Sequence, residues 1–112
     1  MNQTEKLNRF KEAVERGYKI IKPVSGQYIS VNPNTNEICG CLITASLYGT
    51  ESVIKDEIPW APKIDMVKSF YGLNTSECND LIRGFDGGVL TTGEYFLLGK
   101  ELREKYIVAK SS

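Results

Sequence analysis

Thirty-two consecutive residues, Pro23 through Ile54, hold only two charges, Glu37 and Glu51. A surface segment of that length would carry many more, so this middle third is expected to build the interior and the flanks to wrap it. Within it, Cys41 to Tyr48 is small or apolar throughout, with Leu42, Ile43, Ala45 and Leu47, and is read as the centre of the core. Gly40, Ala45 and Ser46 there permit a neighbouring backbone to approach closely.

The flanks carry helical patterns. From Thr4 to Gly17, Leu7, Phe10 and Val14, with Tyr18 following, recur at three- and four-residue steps with charge opposite them, which predicts a helix packed by one face. Gly17 is placed as its left-handed closing residue. Ile64, Val67, Phe70 and Tyr71 predict a third helix that starts near Pro62 and ends at Gly72. Asn74 followed by Glu77 is the pattern of a reciprocal helix cap, and Cys78, Leu81, Ile82 and Phe85 form the fourth stripe, closed by Asp86-Gly87-Gly88. Thr91 and Glu94 repeat the capping pattern before a fifth helix, from about Gly93 to Ile107, with Tyr95, Leu98, Leu102 and Tyr106 on one face.

Two extended runs, Tyr18 to Val24 and Gln27 to Val31, are separated by Ser25-Gly26 and read as a β-hairpin. The turn chemistry of Asn32-Pro33-Asn34-Thr35-Asn36 leads to a third short strand at Glu37 to Cys39. Ile58-Pro59-Trp60-Ala61-Pro62 is expected to be a loop, because each proline excludes helix from the residue before it. The fold class expected is mainly α (α+β): about five helices with a small antiparallel β-hairpin after the first. With 112 residues the chain is read as one globular domain, frayed at residues 1–3 and 109–112.

Charge and composition exclude several functions. Fourteen basic and fourteen acidic residues cancel, so no global field gathers nucleic acid or an anionic membrane. The first 22 residues hold six bases against three acids, alternating as on a solvated helix. No apolar run approaches a bilayer span and the N-terminus is too polar for a signal peptide, so a cytoplasmic location is expected. Without histidine, the commonest general base and metal ligand is missing and no His-dependent triad can form.

Cys39, Cys41 and Cys78 are an odd set and are expected to be free, buried thiols. Cys39 or Cys41, near a helix start, is the nucleophile an enzyme would use, with Asp86 as a carboxylate alternative. The Cys39-x-Cys41 spacing does not suit paired zinc ligands. Asp86 to Glu94 resembles a calcium loop, but Gly88 and Leu90 stand where oxygen ligands are needed, so it is read as a turn. No phosphate-binding glycine motif is present. No metal or cofactor is expected.

The segment Val67 to Arg83 has the outline of a helix-turn-helix, yet its second helix offers Glu77 and Asp80 against one Arg83, a poor match for a DNA groove. Eleven aromatic residues include several at loops or helix ends. Tyr48, Trp60 and Phe85, with Asp86 beside the last, are the candidate interaction residues, since aromatic anchors dominate protein interfaces.

At Cys39-Gly-Cys-Leu-Ile-Thr-Ala45, Phe70-Tyr-Gly-Leu73, Leu81-Ile-Arg-Gly-Phe-Asp86 and Gly99-Lys-Glu-Leu-Arg103, the chain resembles small uncharacterised bacterial and phage proteins. In these a hairpin leads into a Cys-rich helix start, followed by a helix closed by Gly-Phe-Asp. The resemblance implies a shared fold, no activity, and a small accessory role. The function expected is therefore a non-enzymatic protein-interaction module, an inhibitor or adaptor, acting on a protein partner or by self-association. A small enzyme using a Cys or carboxylate site and a weak helix-turn-helix binder stay open as alternatives.

Overall fold

The computed structural model describes residues 2–89 and 93–109; the expected Thr91 cap and the tail from Lys110 onward lie outside them. The fold is mainly α with a small β part, in the order α1 (Gln3–Gly17), β1 (Lys22–Pro23), β2 (Ile29–Val31), β3 (Ile38–Gly40), α2 (Leu42–Tyr48), a 3-10 helix (Lys55–Trp60), α3 (Lys63–Tyr71), α4 (Thr75–Phe85) and α5 (Glu94–Arg103). α5 runs directly into a π-helical turn, Glu104–Val108.

All seven residues of α2 are buried, but the charge-poor stretch around it is not interior throughout as expected: residues 26–28 and 31–36 are exposed, their polar turn residues replacing charge at the surface. Phe10, Ala13 and Val14 of α1, Val67 of α3, Leu81 and Phe85 of α4 and Leu102 of α5 close around α2 without exposed surface. The two buried hydroxyls of α2 are satisfied: Thr44 Oγ1 donates to Tyr28 O at 2.6 Å and Ser46 Oγ to Ile43 O at 2.6 Å.

Two helix pairs are held closer than side chains would permit. A Cβ on Gly17 would lie 1.7 Å from Ala45 O, and one on Gly49 would lie 1.9 Å from Ala13 O, so α1 and α2 contact reciprocally through bare backbone. The same arrangement joins α4 to α5, where Cβ atoms on Gly84 and Gly99 would meet Phe96 O at 2.2 Å and Leu81 O at 2.3 Å. Gly17 is thus not the left-handed closing residue expected. It is the last residue of α1, and its lack of a side chain serves packing.

The ends of the helices follow the capping residues. Asn2 Oδ1 accepts from Glu5 N–H at 2.8 Å, placing Asn2 and Gln3 in the start of α1. Asn74 and Glu77 form the reciprocal cap of α4 at 2.8 Å in both directions. Gly72 closes α3 at φ 67°. At the end of α4, Gly87 N–H donates to Gly84 O and Gly88 N–H to Arg83 O, with Gly87 at φ 83°. Pro62 stands just before α3, with Lys63 as its first residue.

The sheet departs from the expected hairpin. Its order is β1-β3-β2, with β1 parallel and β2 antiparallel to β3. The hairpin therefore joins β2 to β3 through the Asn32–Asn36 turn, whose Asn36 adopts φ 59°, while Tyr18 to Val24 forms no hairpin with the strand that follows it. The reason is Tyr18. Its ring is buried on Phe85 and its hydroxyl donates to Gly40 O at 2.9 Å, which draws the end of α1 to the far side of β3. The Pro-rich loop is also more ordered than expected: a 3-10 helix needs only separate i to i+3 bonds, and Pro59 omits one of them.

Candidate functional site

The 3-10 helix presents the most exposed aromatic group described. Ile58 is fully buried and roots the segment, while Trp60 two residues later is 88% exposed and Ile54 at the start is 62% exposed. Lysines fasten both ends. Lys63 Nζ donates to Pro59 O at 3.3 Å and Ala61 O at 3.4 Å, and Lys55 Nζ donates to Thr50 O at 3.2 Å. Trp60 is therefore held outward on a backbone with little freedom to fold the indole back.

Beside it, a shallow concavity of about 280 Å³ is lined by Tyr28, Ala61, Pro62, Lys63, Ile64 and Asp65. Tyr28 also borders a smaller cleft of about 120 Å³ with Gly26, Gln27, Cys41, Ile82 and Asp86. The Tyr28 ring, 41% exposed, is thus a ridge between two depressions, and partial burial pushes its phenol pKa up. Asp86 has a structural task here. Its carboxylate accepts from Gly26 N–H at 2.9 Å and ties the Ser25-Gly26 loop to the end of α4.

Two of the expected interaction residues are corrected by their burial. Phe85 has no exposed surface: it completes the α4 stripe and stacks on Tyr18 with ring centroids 6.4 Å apart. Tyr48 is 4% exposed because it ends the wholly buried α2, and burial raises its phenol pKa. Trp60 and Asp86 are exposed, as the anchor reading requires. Tyr28, Ile54 and Ile64 were missed. The signal that could have found Tyr28 is the absence of charge around it, which removes any electrostatic reason for so exposed a ring.

Of the three thiols, Cys41 and Cys78 are not poised for nucleophilic chemistry. Cys39 is half-buried, whereas Cys41 and Cys78 are buried. Burial pushes the Cys41 thiol up despite hydrogen bonds from Thr44 and Ile43 that favour the thiolate, and it pushes Cys78 to about 11. No group of three His, Cys, Asp or Glu side chains suited to a metal occurs among the described residues.

Another depression, of about 500 Å³, lies between α1, the segment after α2 and Tyr71 of α3. Its Arg9 and Arg16 are offset by Glu12 and Glu51, and Arg16 Nε already donates to Gly49 O at 2.9 Å. With the charges cancelling, it offers no selectivity for an anion. No described helix is long and apolar enough to cross a membrane.

No protein-family model matches the chain, and no curated protein or solved structure matches it either.

Proposed function

We propose that this chain is a non-enzymatic interaction protein, an inhibitor or adaptor of bacterial or phage type acting in the cytoplasm, and that Trp60 anchors its protein partner. The observation that carries the reading is the 88% exposure of Trp60 on a lysine-fastened 3-10 turn. Tryptophan buries a large area with two rotatable bonds, so an indole already fixed outward loses little entropy on docking. The neighbouring concavity, walled by Tyr28, Ala61, Pro62 and Ile64, can receive an apolar side chain from that partner. The buried thiols support the non-enzymatic reading, since a high thiol pKa works against a nucleophile at neutral pH.

Affinity capture from a host extract with the wild type and with Trp60→Ala tests the proposal. A partner retained by the wild type should be lost with the variant, whose melting temperature should be unchanged. Equal capture by both proteins would refute the role of Trp60. The indole is the only one in the chain, so its fluorescence should also shift to the blue when the partner is added.

A further inference from the structure

β2 is an outer strand of the sheet, and its ladder leaves half of its backbone unpaired. Tyr28 O accepts from Cys41 N–H and Asn32 N–H donates to Glu37 O, so Tyr28, Ser30 and Asn32 turn their backbone groups toward β3. The alternation of an antiparallel pair then turns the N–H and C=O of Ile29 and Val31 outward. Natural sheets guard such edges with charge, proline, bulges or a covering element. β1, at the opposite edge, has two such guards in Lys22 and Pro23. β2 has none of the sequence guards: no charged residue occurs from Pro23 to Asn36, no proline falls between Gln27 and Asn32, and Val31 is 49% exposed.

We infer that this open edge pairs antiparallel with the same edge of a second copy, joining two three-stranded sheets into one of six about a two-fold axis at Ser30. The symmetry supplies the match. Centring on Ser30 sets Ile29 against Val31 of the second copy, and Val31 against Ile29 of the second copy, so each outward N–H faces an outward C=O. A two-fold axis also sets every charge near it close to an identical charge, which is repulsive. The charge-free stretch meets that condition, and the zero net charge of the chain removes longer-range repulsion. This pairing does not depend on Trp60 and goes beyond its role as an anchor.

Sedimentation or light scattering over a range of concentrations tests the inference. The mass should rise from 12.5 kDa toward twice that value as concentration increases. Val31→Lys places like charges near the axis, and Val31→Pro removes an N–H that β3 does not use, so both should weaken the dimer at least about tenfold while the circular dichroism stays native. If the proline variant does not fold, the lysine variant alone decides. Trp60→Ala should leave the dimer intact, which separates this edge from the partner anchor. A wild type that stays monomeric up to about 1 mM, or a dimer indifferent to the Val31 variants, overturns the inference. A monomer that takes an extended foreign peptide on this edge overturns it equally.

Discussion

At the scale of single residues, Trp60 and Phe85 show how alike two aromatic residues look in sequence and how differently they end. Phe85 has no exposed surface and Trp60 is 88% exposed. Phe85→Ala should therefore cost about 3–5 kcal/mol, whereas Trp60→Ala should stay within about 0.5 kcal/mol. Urea unfolding of the two variants checks this. The difference was partly legible: Phe85 continues a three- and four-residue stripe from Cys78, and that periodicity argues for burial more strongly than its place beside Asp86 argues for contact. Trp60 belongs to no stripe, and two flanking prolines keep it from joining one.

At the scale of elements, four amphipathic helices were legible because each has a stripe, and the Asn74–Glu77 cap of α4 was readable as well. The strand pairing was not, because β1 finds its partner across sixteen residues and a buried tyrosine decides which side it takes. Gly17 was misread for a related reason, since nothing local reveals that Ala45 O lies against it. Its true role gives an expectation opposite to helix propensity. Gly84→Ala and Gly17→Ala would gain up to about 1 kcal/mol in an isolated helix, yet each must push two backbones apart and should lose about 1–3 kcal/mol or more. Asn74→Ala should cost about 1 kcal/mol through the lost cap. Thermal melts of the three variants distinguish the two effects: only the glycine changes should disturb the near-ultraviolet signal of the buried tyrosines.

At the scale of the whole molecule, the charged flanks are stitched together by Lys11–Glu101 at 3.4 Å and Glu15–Lys105 at 2.7 Å, which bring α1 beside the chain's last helix. Exposed pairs of this kind contribute little. A larger pH effect comes from the interior. Burial raises Cys78 from 9.0 to about 11, and burial with Glu77 nearby raises Tyr95 from 10.0 to about 12. Both groups are neutral in the fold and ionise more easily in the unfolded chain. Their contribution is complete below pH 9 and is lost as pH rises through 9 to 11 for Cys78 and 10 to 12 for Tyr95. The unfolding midpoint in urea should therefore fall between neutral pH and about pH 11. Cys78→Ala should flatten the lower part of that fall.

The order of the three strands also bears on how the chain becomes folded in time. β2 and β3 are joined by a six-residue turn, whereas the nearest ends of β1 and β3, Pro23 and Ile38, lie fifteen positions apart, and the entropy of closing a loop rises with its length. The β2–β3 hairpin should accordingly form first in the sheet, with the two residues of β1 docking onto an edge that already exists. Disturbing the turn should slow refolding, while disturbing Val24, whose N–H donates to Gly40 O, should leave the refolding rate alone and hasten unfolding. Stopped-flow kinetics would then show β1 as the last strand to arrive and the first to leave, a latch on a nucleus assembled without it.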